Sequence, residues 1–187
     1  MTVRRGDFEG NDYQAQFDRL AAAGQDVHGE ATFVRAYSPT SVLDAGCGTG
    51  RVAIELARHG IEAVGADIDE SMLATAQRLA PDTEWVRTDL CELELGRRFD
   101  LVVMAGNVPL FTPPGTEAAL VAGVARHVAA GGRLVSGFSL GRSYSLTQFD
   151  RHTAANGLVL EDRFATWDRK PWIDGGDYAV SVHRRQR

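Results

Sequence analysis

Three glycines and an acid form the group of residues in this chain whose types and spacing say most about chemistry. In the segment VLDAGCGTGRVAIEL, Gly46, Gly48 and Gly50 alternate with other residues, and Asp44 stands two positions before the first of them. The glycines follow a strand-like run and precede a helix-like run. In that context they allow a tight turn and a close approach of the backbone to a nucleotide-like ligand. Taken alone, they are equally consistent with a turn that only reverses the chain.

Two further carboxylates are expected at the same edge of the structure. Asp67 ends the next strand-like run, about twenty residues downstream, where Rossmann-type sites have an acid that accepts hydrogen bonds from ribose hydroxyls. Asp89 ends the third such run and offers another acceptor. Because open α/β sheets bind ligands at the carboxyl ends of their strands, the three elements together favour a ligand site over a simple chain reversal.

A dinucleotide and S-adenosylmethionine both satisfy this outline, and three features separate them. The spacing is G-x-G-x-G, with the third glycine one residue earlier than in the dinucleotide fingerprint. Asp44 would repel a pyrophosphate but attract an ammonium group. A short-chain hydride-transfer enzyme needs a Tyr-x-x-x-Lys pair, and the only lysine, Lys170, has Thr166 four residues before it. A NAD(P)-dependent oxidoreductase is therefore the less favoured alternative.

The elements that must position these residues follow an α/β pattern. From about Ser41 onward, apolar strand-like runs alternate with helical patterns, which predicts βαβ units on a parallel sheet. Glycines predict the ends of two helices, at Gly60 and Gly157. Near the C-terminus, LVLEDRFATWD and YAVSVHRR are both strand-like and have only turn-rich residues between them. Two strands joined in this way are antiparallel neighbours, so the pattern predicts a final hairpin.

Two of the predicted helices carry apolar stripes. In DESMLATAQRLA, which opens with a carboxylate at the N-cap, the stripe consists of Met72, Ala76 and Leu79. The helix predicted from TEAALVAGVARHVAAGG has a stripe that extends as far as Val128, and RLVSGFS is expected to form the strand after it.

Length and charge indicate one cytoplasmic domain. The 187 residues suit a single domain, 1–187, made of an N-terminal helical lid segment (1–40) and a cofactor-binding core (41–187). The net charge of -5 argues against a nucleic-acid partner. The first residues lack the apolar run of a signal peptide, and no run is long enough to span a membrane. Cys47 and Cys91 are expected to be free thiols.

Five segments resemble the class I S-adenosylmethionine-dependent methyltransferases of the small, single-domain type. They are VLDAGCGTG, VGADID, WVRTDL, FDLVVMAGN and GGRLVSGF, and the resemblance extends over about residues 40 to 184. It implies an α/β, Rossmann-like, doubly wound fold, with a seven-stranded, mostly parallel sheet and an antiparallel C-terminal hairpin. It also implies S-adenosylmethionine as the methyl donor and S-adenosylhomocysteine as the product.

The resemblance further implies where the cofactor would be held. Asp44 would lie near its ammonium group, and Asp67 would take the two ribose hydroxyls. The methionine part would lie along the glycine loop, whose members are Gly46, Cys47, Gly48 and Gly50.

Other positions are implied for the adenine end and the methyl-transfer side. Ile68 and Met72 would pack on adenine, Asp89 would accept from its amino group, and the backbone of Leu90 would serve a ring nitrogen. Backbone near Ala105 and Asn107 would line the side on which the methyl group is transferred.

No catalytic base stands out. His28, Tyr13 and Asn107 are candidates, although a solvated or packing role is the alternative for each. Much of the rate of such a reaction can come from positioning alone. If the chain lacked an acceptor of its own, it would be a cofactor-binding regulatory or scaffold protein, which is the second alternative. Aromatic residues that could line an acceptor pocket are Tyr13, Phe17, Phe111, Tyr144, Trp167 and Trp172.

The segment GNVPLF after the fourth strand narrows the acceptor. Methyltransferases of adenine or glutamine amides carry Asn-Pro-Pro-Tyr or Asp-Pro-Pro-Tyr there. Asn107 and Pro109 match the first and third positions, whereas Val108 and Leu110 do not match the others. The fourth and fifth strands also end without the carboxylates of the metal-dependent catechol type, so no metal is expected. The sequence thus predicts a small-molecule acceptor and leaves the oligomeric state open.

Overall fold

The computed structural model describes residues 10–24 and 26–186, so residues 1–9 of the predicted lid segment lie outside the description. Seven helices are present within these residues: α1 (Gly10–Ala22), α2 (Gly29–Arg35), α3 (Arg51–Arg58), α4 (Glu70–Leu79), α5 (Val108–Phe111), α6 (Glu117–Ala125) and α7 (Leu146–Ala155). The strands of the same part of the chain are β1 (Ser41–Ala45), β2 (Glu62–Asp67), β3 (Glu84–Arg87), β4 (Phe99–Met104), β5 (Val128–Ser139), β6 (Leu158–Phe164) and β7 (Tyr178–Arg185).

The strands form one sheet with the order β3-β2-β1-β4-β5-β7-β6. Strands β1 to β5 pair in parallel, whereas β7 is antiparallel to both β5 and β6. Val42 and Leu43 are neighbours on β1 but belong to two different apolar clusters, because successive side chains of a strand point to opposite faces. The sheet is therefore covered on both sides, and the predicted fold class with its C-terminal hairpin is confirmed.

The capping residue and the two glycines predicted at helix boundaries are found there in the structure. The side chain of Asp69 caps α4 by accepting from the backbone N–H groups of Ser71 and Met72, at 2.9 and 3.1 Å. Gly60 and Gly157 follow α3 and α7 with φ angles of 76° and 72°. Glycine adopts this left-handed conformation without the steric cost that a Cβ brings.

Two predicted details are wrong. Val128 does not belong to the stripe of α6, since that helix ends at Ala125 and Val128 begins β5, opposite Phe99 of β4. Val128 is fully buried; a helix stripe and a buried strand both explain an apolar residue there, so the pattern could not separate them. Leu79 ends α4 with 46% of its surface exposed, while Met72 and Ala76 of the same predicted stripe are buried.

The described part of the N-terminal segment contains α1 and α2, and its role as a lid stays a prediction. Helix α1 is fixed to α4 by the backbone N–H of Gly10, which donates to Ser71 Oγ at 2.8 Å. It is fixed to the glycine loop by Thr49 Oγ1, which donates to Gln14 Oε1 at 2.8 Å. Among the described helices, none has the length and apolarity that crossing a membrane requires.

Candidate functional site

A cavity of about 320 Å³ opens at the carboxyl ends of β1, β2 and β4. Its size is in the range of small-molecule sites. Its walls come from α1, the glycine loop, the start of α3 and α4, and the segment after β4. The lining residues are Tyr13, Asp44, Gly46, Cys47, Gly48, Thr49, Arg51, Val52, Asp67, Met72, Ala105, Gly106, Asn107, Val108 and Phe111.

The glycine loop is shaped by left-handed backbone and by a tryptophan beneath it. Gly46, Gly48 and Gly50 have φ angles of 81°, 55° and 80°. Gly46 N–H donates to the carbonyl of Ala66 at 2.7 Å, which ties the loop to the end of β2. Gly50 lies outside the cavity wall, and a Cβ on it would come within 2.2 Å of the indole of Trp85. The loop therefore needs glycine at this position for packing as well as for turning.

Asp44 is a buried residue of the cavity whose pKa is strongly shifted. Its side chain is only 2% exposed, and one oxygen accepts from the backbone N–H of Ala53 at 3.1 Å. Burial raises the pKa of Asp44 to about 7, against the opposing effects of the Ala53 N–H and the Arg51 charge. A carboxyl group poised near neutrality is one that a nearby cation would hold in its ionised form.

Asp67 lies at the end of β2, the neighbour of β1 in the sheet. Its Oδ2 accepts from the backbone N–H of Gly48 at 2.9 Å, and its Oδ1 accepts from that of Asp69 at 3.0 Å. The side chain is almost fully buried, at 1% exposure. These two backbone contacts orient the carboxylate of Asp67 at the cavity wall.

The residues predicted for the adenine end are only partly brought together. Met72 lines the cavity, whereas Ile68 is 49% exposed beside it. Asp89 is exposed and caps a short 3₁₀ turn through a 2.8 Å bond from Cys91 N–H. The side chain of Leu90 is buried in the core. Ile68, Asp89 and Leu90 thus lie outside the cavity wall, along the open side next to β3.

Two of the three candidate catalytic residues lie in the cavity wall, and the third does not. Tyr13 and Asn107 line the cavity, and Asn107 Oδ1 accepts from the backbone N–H of Ser139 at 2.7 Å. His28 lies outside it at the start of α2, with its Nδ1 3.8 Å from Glu55. Of the aromatic residues considered for an acceptor pocket, Tyr13 and Phe111 line the cavity; Phe17, Tyr144, Trp167 and Trp172 do not. In residues 10–24 and 26–186, no cluster of His, Cys, Asp and Glu that could hold a metal ion is found.

Arg51 is the charged residue of the cavity wall that was not predicted from the sequence. Its guanidinium pairs with both oxygens of Glu30, at 2.8 and 2.6 Å, and lies 4.6 Å from the ring centroid of Phe17. The sequence feature that could have indicated Arg51 is its place in the first turn of a helix, because the helix dipole disfavours a cation there. Thr49, Val52, Gly106 and Val108 were also not predicted as wall residues. They lie between or beside predicted ones, and their types carry no chemical signal.

Comparison with known proteins identifies a family and a similar solved structure. Residues 42–132 match the family described as "Methyltransferase domain". A solved structure of a TehB-like SAM-dependent methyltransferase from Corynebacterium glutamicum is 35% identical, covers 95% of this chain and 98% of that chain, and superposes with a TM-score of 0.89.

Curated relatives match over shorter stretches. The dTDP-3-amino-3,4,6-trideoxy-alpha-D-glucopyranose N,N-dimethyltransferase of Streptomyces venezuelae is 32% identical over 118 residues, which are 62% of this chain and 48% of that protein. The cypemycin N-terminal methyltransferase of a Streptomyces species is 37% identical over 95 residues, which are 49% of this chain and 39% of that protein. The chain therefore spans less than half the length of these two relatives.

The cofactor predicted from the sequence, S-adenosylmethionine, is the one on which the Corynebacterium protein depends by its description. That protein is similar over nearly its whole length, and its fold is the one described above. The chain belongs to the class I S-adenosylmethionine-dependent methyltransferases.

Proposed function

We propose that this protein, as a single domain over residues 1–187, transfers a methyl group from S-adenosylmethionine to a small molecule in the cavity at the ends of β1, β2 and β4. The observation that carries this proposal is the pair of buried carboxylates, Asp44 and Asp67, on the two sides of the glycine loop. Buried carboxylates are retained where a partner compensates their charge.

The residues present suit this cofactor. Asp44 is uncharged to a large extent near neutral pH, because burial raises its pKa to about 7, and an ammonium group beside it would reverse that. Asp67 presents a buried carboxylate at the end of β2, and carboxylate oxygens are the acceptors that ribose hydroxyls need. The wall facing the loop is apolar, with Met72 on α4 and Val108 and Phe111 on α5. A pyrophosphate would meet both carboxylates and no unpaired cation among the described wall residues, since Arg51 is paired with Glu30.

Reaction in this cavity would depend mainly on positioning. When bound, S-adenosylmethionine supplies a methyl group on a positively charged sulfur. A nucleophile attacks the methyl carbon in line with the carbon–sulfur bond, and the sulfur leaves as part of S-adenosylhomocysteine. The chain's own task is to hold the two partners at near-attack distance, which can contribute several kcal/mol, on the order of 7 or more, to lowering the barrier. Asp44 and Asp67 would orient the donor, and α1 with Tyr13 would exclude water from the mouth of the cavity.

An amine is the acceptor that the observations favour. The two curated relatives reported above are N-methyltransferases by name, one of an amino sugar nucleotide and one of a peptide N-terminus.

Calorimetry and methyl transfer test the proposal in two steps. We expect intact protein to bind S-adenosylhomocysteine and not NAD⁺, and to transfer labelled methyl groups to a member of a metabolite extract. Failure of folded protein to bind S-adenosylhomocysteine at millimolar concentration would refute the cofactor assignment. Binding without transfer to any extract component would instead indicate a cofactor-binding regulatory protein.

A further inference from the structure

The side chain of Asn107 is held in an uncommon position. Asn107 has a φ of 67°, in the left-handed region, and stands at the N-cap of α5 without capping it through its side chain. Its side chain turns instead to the end of β5, where Oδ1 accepts from the backbone N–H of Ser139 at 2.7 Å. Backbone conformations of this kind cost free energy and persist where the surrounding structure holds them, often at functional sites.

This contact decides which way the amide faces. A backbone N–H can only donate, so the atom opposite Ser139 N must be the oxygen of Asn107. The NH₂ group therefore lies on the other branch of the side chain. Asn107 lines the cavity, and its NH₂ has no hydrogen-bond partner in the described part of the chain. Its two N–H donors are accordingly available to a molecule in the cavity.

The order of the strands indicates which molecule that is. Asp67, Asp44 and Asn107 follow β2, β1 and β4, which are consecutive neighbours in the sheet. If Asp67 holds the ribose and Asp44 the ammonium end of the donor, Asn107 lies one strand further along, beside Phe111. This is the side left for the acceptor.

We propose that Asn107 is a specificity-determining residue that selects amines carrying a hydrogen-bond-accepting oxygen next to the nitrogen, as in a vicinal amino alcohol. This inference rests on the proposed function. The amide would donate to that oxygen and not to the nitrogen, because a donor on the lone pair of the nucleophile would make it less reactive. Asn107 would thus act as a hydrogen-bond donor to the acceptor molecule. Its Oδ1 does not accept from the amine, because it already accepts from the backbone N–H of Ser139.

Two small amines of similar shape provide the probe. Trans-2-aminocyclohexanol and cyclohexylamine differ in the neighbouring hydroxyl, and methylation of each is followed with labelled S-adenosylmethionine. We expect wild-type protein to prefer the amino alcohol about tenfold in kcat/KM, because a site with a donor of this kind discriminates against an analogue that lacks its partner.

The variant Asn107→Asp keeps an oxygen for Ser139 N–H and removes both donors. It should lose the preference between the amines, and a separate measurement of S-adenosylhomocysteine binding shows that the cofactor site is still formed. Gln186→Glu introduces the same charge at an exposed residue outside the cavity and should keep the preference. Should Asn107→Asp fold poorly, Asn107→Gly tolerates the φ of 67° and should lose the preference as well.

Several results would overturn the inference. Equal use of both amines by wild type, or an unchanged preference in either Asn107 variant, would remove Asn107 from acceptor selection. So would failure to methylate either amine while S-adenosylhomocysteine binds. Absence of S-adenosylhomocysteine binding would be a different result, since it would refute the proposed function itself.

Discussion

The indole of Trp85 occupies the space that a side chain on Gly50 would need. A Cβ on Gly50 would lie 2.2 Å from Trp85 Cη2, and one on Gly65 would lie 2.3 Å from Cζ3 of the same ring. The ring is held in place by its Nε1, which donates to the carbonyl of Ala80 at 3.0 Å. The glycine loop is thus supported from below by a residue of β3.

This relationship predicts that Gly50→Ala is more damaging than its backbone angle alone explains. Gly60 has a similar φ, 76° against 80°, but nothing lies within 4 Å of an added Cβ there. Gly60→Ala should cost about 1–2 kcal/mol of unfolding free energy from backbone strain. Gly50→Ala should cost about 2 kcal/mol more, because the ring or the loop must move. Urea denaturation of both variants measures the difference, and equal losses would show that Trp85 yields freely.

Replacing Asp67 should weaken cofactor binding. We expect Asp67→Ala to raise the Kd for S-adenosylhomocysteine by about tenfold or more, since it removes charge-assisted hydrogen bonds to the ribose hydroxyls. Asp82→Asn removes a carboxylate from an exposed residue outside the cavity and serves as the matched control. Calorimetry decides the question, and an unchanged Kd in Asp67→Ala would place the ribose elsewhere.

Cofactor affinity should depend on pH through Asp44. Burial raises the pKa of Asp44 to about 7 in the free protein, so the neutral form predominates below that pH. A ligand whose ammonium group needs the ionised form must then expel a proton, and its Kd should rise by up to about tenfold per pH unit as the pH falls below 7. Calorimetric titrations with S-adenosylhomocysteine between pH 5.5 and 8.5 would show this.

The matched variant for this measurement is Asp44→Asn. It has no carboxyl group to titrate, so its weaker binding should be independent of pH over the same range. A pH profile equally steep in both proteins would mean that another group controls binding.

The same substitution should stabilise the free protein. The pKa of Asp44 is raised from 3.8 in the unfolded chain to about 7 in the folded one. Its contribution to stability is therefore fully present below pH 3.8 and is lost as the pH rises towards 7, where the folded state must hold a buried charge. Asp44→Asn avoids this charge and keeps an oxygen for the Ala53 N–H.

We expect the unfolding free energy of Asp44→Asn, measured with urea, to exceed that of wild type by on the order of 2 kcal/mol at pH 8. At pH 5 the difference should be much smaller. Asp82→Asn, at an exposed position, should show no such change between the two pH values. A destabilised Asp44→Asn at pH 8 would contradict the assigned burial cost. A gain in stability together with a loss of cofactor affinity would identify Asp44 as a residue kept for binding.

Local patterns in the sequence were sufficient to predict the cofactor. A strand, three glycines and a helix are consecutive in the chain, and Asp44 and Asp67 stand at strand ends that the apolar pattern marks. Because parallel strands bring their carboxyl ends to one edge, these residues converge in any sheet of this class. The C-terminal hairpin could also be predicted, because no crossover helix separates its two strands.

Tertiary structure alone decided which long-range contacts support the glycine loop and the cavity residues. Trp85 beneath Gly50, Glu30 against Arg51 and Ser139 opposite Asn107 are contacts between residues 21 or more positions apart. No periodicity links such residues, because each contact depends on how whole strands and helices pack. The start of β5 at Val128 was settled in the same way, by pairing with β4 and not by helix propensity. The cofactor could therefore be predicted from short-range sequence patterns, whereas the orientation of the Asn107 amide depends on the packing of β4 beside β5.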